Sequence, residues 1–213
     1  QHLDSARAPQ TSGARARTGS TRVGVGIDRR VGAERYVVAA VSSLRLDVPS
    51  LAAGHDFRWK ESGAHLYFYD AILGSRAFAT RSWTFAASLE YEVERLERPQ
   101  DDPGPEGVVH VTTQRLPLLL RAYRGDVTMS VGVTHLRQPG LLSAGNGLDS
   151  FPTTTNAWLT DLSSEYHFPR RRGSLAVGVR NLLDRRLDLF QSDPFTPRDP
   201  LRRFVYAKVR VIF

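Results

Sequence analysis

The chain has 213 residues, 29 of them basic and 22 acidic, for a net charge of +7, and it contains no cysteine. The missing cysteine excludes a disulfide framework, a thiolate metal site and a cysteine nucleophile. No apolar run reaches the roughly 18 residues of a membrane-spanning helix, a test that β-strands escape because they alternate.

All the basic residues except Lys60 and Lys208 are arginine, scattered over turns, loops and alternate strand positions. Neither a basic helix nor an aromatic RNA-binding motif accompanies them, so nucleic acid is not an expected partner. The sequence opens at Gln1 with no charged-then-apolar leader, which reads as a mature or truncated chain.

Residues 1–20 are small, polar and Arg-rich and read as a lead-in or loop. From residue 21 to 213 the dominant period is two, and nine strands are predicted. Around Thr21–Asp28, Val23, Val25 and Ile27 alternate with Arg22, Gly24 and Gly26. Tyr36–Leu46 places Tyr36, Val38, Ala40, Leu44 and Leu46 on one side. Ala64–Leu73 sets Tyr67 and Tyr69 against Leu66, Phe68 and Asp70, with ambiguous polarity.

Trp83–Glu94 is the clearest case. Trp83, Phe85, Ala87, Leu89, Tyr91 and Val93 share one face, and Glu90, Glu92 and Glu94 lie on the other. A helix would spread those carboxylates around its circumference, whereas a strand segregates them. Val108–Tyr123 opposes Leu116, Leu118, Leu120 and Ala122 to Thr113, Arg115 and Arg121, with Pro117 an obstacle to sheet pairing. Val127–Leu136 opposes Val127, Met129, Val131 and Val133 to Thr128, Ser130, Gly132 and Thr134. Ala157–Phe168 sets Trp158, Leu162, Tyr166 and Phe168 against Asp161, Ser163, Glu165 and His167. Ser174–Arg180 and the final strand complete the set, the latter with Val205, Ala207, Val209, Val211 and Phe213 opposite Tyr206, Lys208 and Arg210.

The expected connections alternate in length. Arg29–Arg35, Gly74–Ser82, Arg124–Asp126 and Pro169–Gly173 are the shorter, and Asp47–Gly63, Arg95–Gly107, Gln138–Asn156 and Leu182–Arg203 the longer. An outer-membrane barrel has this asymmetry, with tight periplasmic turns and long outer loops. Aromatic residues toward opposite ends of one face, Trp158 with Tyr166 and Phe168, and Trp83 with Tyr91, suit two membrane interfaces. The fold class is therefore all-β, an antiparallel transmembrane β-barrel integral to a bacterial outer membrane.

Ser174–Phe213 carries Gly178-Val179-Arg180-Asn181-Leu182-Leu183-Asp184 followed by a last strand closing on Phe213. This segment resembles the C-terminal end of Gram-negative outer-membrane barrels, particularly TonB-dependent receptors, with Leu183 where phenylalanine is commoner. The resemblance implies solute uptake through the lumen. It also implies an assembly signal at Phe213 read by the outer-membrane assembly machinery, and a periplasmic energy-coupling partner acting through an N-terminal region. Nine strands fall short of the about 22 of a plugged transporter, so the chain reads as part of a larger barrel, or has one further strand before Thr21.

Glu90, Glu92, Glu94, Arg115, Arg121, Asp161, Glu165, Arg180, Lys208 and Arg210 are the expected lumen-facing charges. Three like carboxylates on one strand repel unless hydrated or paired, and the neighbouring Arg115 strand offers partners. They form either a ladder fixing register or a lining that selects solute charge. Six histidines lack metal-ligand spacing, and no Gly-x-Ser-x-Gly elbow surrounds Ser130, Ser163 or Ser164. His135, Asp161 and His167 make no recognisable triad; no catalytic activity, metal or cofactor is expected. Gly24 and Gly26 lie within an alternating run and read as a close strand approach rather than a nucleotide loop. Two other functions fit the same residues: a passive porin or exporter barrel attached to a periplasmic repeat domain, and a soluble β-barrel or sandwich binding an anionic ligand through its arginines.

Overall fold

A computed structural model describes residues 19–32, 34–49, 56–71, 83–99, 108–143, 150–185 and 202–212. The expected lead-in therefore lies, up to residue 18, outside the described residues, as does Phe213. Nine strands form one sheet: β1 (Gly19–Val31), β2 (Arg35–Pro49), β3 (Asp56–Asp70), β4 (Thr84–Glu97), β5 (Val108–Arg124), β6 (Val127–Ser143), β7 (Ser150–His167), β8 (Gly173–Arg180) and β9 (Phe204–Val211). One 3-10 turn, Pro169–Arg171, joins β7 to β8. No helix among the described residues is long and apolar enough to cross a membrane, which says nothing about strands.

Each strand pairs antiparallel with the next, in the order β1 to β9. The sheet is open, since no pairing joins β1 to β9. With nine strands alternating in direction, these two edges run the same way.

Cross-strand register divides the sheet into two faces. Val23, Val25, Val41, Leu66, Leu89, Leu118, Leu120, Val131, Leu162, Val177 and Val209 fall on one, the aliphatic face. Glu90, Arg115, Ser130, Asp161 and Lys208 fall on the other, the charged face. The aliphatic face is exposed over its whole width: Val25 is 71%, Phe85 47%, Leu120 49% and Val209 63% accessible. A sheet packed on a core would bury one face, as the hydrophobic effect demands.

Toward the connections 50–55, 98–107 and 144–149 this division inverts. There the charged face carries the only sizeable apolar clusters found among the described residues, Leu44, Leu46 and Val48 with Trp59, and Leu96, Val108 and Val111 with Leu142. The aliphatic face meanwhile turns to Arg45, Arg58, Lys60, Arg95 and Arg137.

The inversion corrects the expected strand ends. A loop is predicted over Asp56–Gly63 because its apolar residues, Phe57 and Trp59, take the opposite face from the band below, yet this segment pairs with β2 throughout. Residues 138–143 and 150–156 likewise pair, as β6 with β7. Strands β1 to β7 thus run from 13 to 18 residues, and three of the long connections shrink. The connection 71–83 then exceeds its counterparts 50–55 and 144–149, so the expected alternation of loop lengths holds only in part.

Pro117 sits in the interior of β5 without a bulge. Pairing with β4 lapses between Leu89↔Leu118 and Glu92↔Arg115 while the register carries on unchanged. The missing proline N–H costs the ladder locally and moves nothing. The register shift in β5 lies elsewhere, between Val108 and His110. Asp70, a misfit on the aliphatic face, is at the end of β3 and accepts from Arg35 Nε at 3.0 Å.

Candidate functional site: a charged sheet face

All ten expected lumen charges share one face, set there by register: Glu90, Glu92 and Glu94 on β4, Arg115 and Arg121 on β5, Asp161 and Glu165 on β7, Arg180 on β8, Lys208 and Arg210 on β9. Because side chains alternate with period two, each strand contributes its set as a unit.

The acidic ladder is engaged on both sides. Glu92 lies directly across from Arg115, and Arg115 Nη1 stands 3.2 Å from Glu92 Oε2 and 4.0 Å from Glu94 Oε2. The cation is shared because Glu92 and Glu94 project from the same strand face. Glu90 is opposite Pro117 rather than a cation, and pairs instead with His65 Nε2 at 2.8 Å on β3. Glu61, on the same face of β3, adds a fourth carboxylate near the ladder. Sequence reading missed His65 and Glu61; the alternation of Glu61, His65, Tyr67 and Tyr69 in one phase is the signal that places them.

An Arg115→Gln substitution leaves Glu92 and Glu94 without their shared cation and should lower stability by about 1–2 kcal/mol, as these groups are mostly withdrawn from water. In a double-mutant cycle with Glu92→Gln we expect a coupling of about 1 kcal/mol, measured by urea unfolding. Strictly additive losses would show that the pair is a passive solvated contact.

The remaining charges fall into two groups. Asp161 is tied structurally, accepting the Asn181 backbone N–H at 2.8 Å. Glu165 lies 4.0 Å from His167. On the other side, Arg180 stands over the Tyr206 ring at 5.9 Å, while Lys208 and Arg210 are exposed on β9. Among these charges the carboxylates stand on β3, β4 and β7 and the cations on β5, β8 and β9, so that each acidic group has a basic strand beside it.

Other polar side chains pair across this face. Tyr36 donates to Asp28 at 3.1 Å, Ser130 and Ser163 hydroxyls meet at 2.6 Å across β6 and β7, and Gln138 Nε2 donates to Thr113 at 2.8 Å. The serines are partners of each other. His135 projects from the aliphatic face, tilted against Trp158 at 4.6 Å between centroids and paired with Asn156, so it does not approach Asp161. Among the described residues no three metal-ligating side chains converge.

Small residues make room on this face. A Cβ on Gly24 would stand 3.2 Å from the Val41 carbonyl, in keeping with a close strand approach. Gly178 is covered by the ring of Tyr206 directly opposite, so the aromatic takes the space a side chain would fill. Gly173, with φ at 145°, has no room for a Cβ beside the Arg210 carbonyl.

Aromatic residues bound the aliphatic band. Trp83 beneath Arg124, Phe85 and Tyr166 stand at the end with the turns 125–126 and 168–172. Toward the other end, the row Leu66, Tyr91, Leu116, His135 and Trp158 carries Tyr91 and Trp158. From Tyr166 to Trp158 the strand covers about 26 Å.

Comparison with protein families, characterised proteins and solved structures finds no match. The chemistry of the two faces is what speaks to function.

Proposed function

We propose that the chain is a segment of a bacterial outer-membrane β-barrel, of the TonB-dependent-receptor-like kind, whose charged face lines a lumen through which a polar solute is taken up. One observation carries the proposal: an exposed aliphatic band backs a face holding every expected charge, with aromatic rows at both margins of the band. Lipid satisfies the exposed band, and water in the lumen satisfies the charges. The exposed Lys208 and Arg210 on the charged face of β9 support selection of solute by charge.

The open edges bear on the same reading. Unpaired N–H and C=O groups along β1 and β9 are costly in lipid, so further strands complete the barrel. As β1 and β9 run in the same direction, an odd number of additional strands restores antiparallel neighbours on both sides. On this reading Phe213 serves as the assembly signal, and the energy-coupling partner contacts a region other than this sheet.

Purified chain is expected to require detergent, and the completed barrel that contains it to migrate differently on a gel before and after boiling. A monomer that stays soluble without detergent, with unchanged migration, would overturn the membrane reading in favour of a soluble anion-binding sheet.

A further inference from the structure

Tyr36, Tyr67, Tyr69 and Tyr123 project from the charged face toward its turn end, on β2, β3 and β5. Tyr36 and Tyr69 are directly opposite in the register, and Tyr67 lies two residues from Tyr69 on the same strand face. Beside them β4 presents Ser88, opposite Tyr69, and Ala86, opposite Arg121. Side chains this small leave the space above β4 to their neighbours, and Ala86 is only 4% exposed. Tyr69 stands close enough to Tyr123 and Arg121, two strands away, to interact with both electrostatically. All four rings are half-buried, so each keeps part of its surface open.

Packing alone does not account for this patch. A tyrosine that serves a core finds a partner for its hydroxyl. Tyr36 does so by donating to Asp28 at 3.1 Å, whereas the hydroxyls of Tyr67, Tyr69 and Tyr123 have no hydrogen-bond partner among the described residues. Both signs of charge border the rings: Arg30 and Arg121 with Asp28 and Glu90, and Glu34 in the adjoining turn. Such a border favours neither an anion nor a cation. The aliphatic face offers a contrast, since its tyrosines, Tyr91 and Tyr166, stand apart at opposite margins of the band.

We infer that Tyr36, Tyr67, Tyr69 and Tyr123 form a subsite for a neutral sugar ring, one pyranose unit of a saccharide passing along the lumen. The inference rests on the reading of the charged face as a lumen lining and names the class of solute that reading leaves open. A pyranose turns weakly positive C–H groups to one face and hydroxyls to its rim. The C–H groups suit the negative face of a phenol ring, and the rim suits phenol hydroxyls, carboxylates and guanidinium groups together. A flat aromatic solute uses the rings and leaves the hydroxyls idle. A small ion uses neither. Lys208 and Arg210, on β9 and four strands from Tyr123, leave this patch to hold an uncharged ring.

The test uses the full chain in detergent, with maltotriose as the probe and binding read by saturation-transfer NMR during titration. Wild type should bind maltotriose, with transfer strongest to the C–H protons of the sugar ring. Tyr36→Leu with Tyr69→Leu removes the opposed rings and should weaken binding roughly tenfold or more. The triple variant Tyr67→Phe, Tyr69→Phe, Tyr123→Phe keeps the packing of the rings, which guards against a folding defect. Having lost only hydroxyls, it should bind roughly threefold to tenfold more weakly than wild type. Tyr91→Leu with Tyr166→Leu takes as many rings from the aliphatic face and should bind as wild type.

Absence of binding by wild type, or equal affinity in every variant, overturns the inference while leaving the membrane reading intact. So does an equal loss in the Tyr91 and Tyr166 variant. Benzoate bound in preference to maltotriose assigns the rings to an aromatic anion and also overturns it. A chain that stays soluble without detergent sinks the lumen reading and the subsite together.

Discussion

Val131→Arg should lower the stability of the chain in lipid vesicles by about 2–4 kcal/mol, whereas Thr128→Arg, three residues away on the same strand, should change it by less than about 1 kcal/mol. Val131 projects from the aliphatic face between Leu120 and Leu162, so an arginine there puts a cation into the middle of the apolar band. Thr128 projects from the charged face directly opposite Glu165, which gives a new guanidinium both water and a carboxylate. Urea titration of the vesicle-folded variants measures the difference. Equal penalties for the two substitutions would mean that the faces do not meet different solvents, and the membrane reading would fall with them.

Asn181→Ala should cost about 2–4 kcal/mol, the second large effect, and for a different reason. Asn181 is 3% exposed with φ at 49°, a left-handed conformation that asparagine tolerates far better than alanine. Its Nδ2 donates to the Arg185 carbonyl at 2.7 Å and its Oδ1 accepts the Arg185 N–H at 2.9 Å, closing the turn after β8. Around it, Leu182 N–H donates to the Thr160 carbonyl and Arg203 N–H donates to Asp184 Oδ1, which ties the turn to β7 and to the start of β9.

Removing the amide leaves two backbone groups of a partly buried turn without these partners. Asn181→Gly separates the causes, since glycine accepts the backbone angle but restores neither hydrogen bond. We expect glycine to recover a minor share of the loss, and faster hydrogen exchange at Leu182 and Arg185 in both variants. Full recovery with glycine would show that backbone strain alone is at stake.

Asn181 also illustrates what is legible beforehand. Its motif, from Gly178 to Asp184, stands out as a pattern through resemblance, and the structure supplies a physical content for three of its residues. Asn181 and Asp184 take left-handed φ, and Gly178 lies under Tyr206. Nothing in the local sequence says that Tyr206, from the far side of a long connection, is the ring that covers it.

The pairing of the ladder shows the same limit. Proximity of the β4 carboxylates to Arg115 follows from strand order, and Glu92 with Glu94 does share that cation. Glu90 goes to His65 because register puts it opposite Pro117, and register depends on the turns and on neighbouring strands at once.

Strand ends escape a sequence reading where polarity inverts. Phe57 and Trp59 alternate as regularly as Phe85 and Leu89, but in the opposite phase relative to the sheet. A reading that seeks one apolar face throughout takes them for loop.

Alternation is a local property: consecutive Cβ atoms point to opposite sides. The sequence by itself therefore determined the strands and which residues of one strand share a face. The gathering of all ten charges on one face of the sheet came with the register. Which residue stands opposite which, how far each strand continues past the aliphatic band, and that the sheet stays open at β1 and β9 were decided only in the tertiary structure. Those features depend on hydrogen bonds between segments far apart in the chain, and no periodicity within a single segment encodes them.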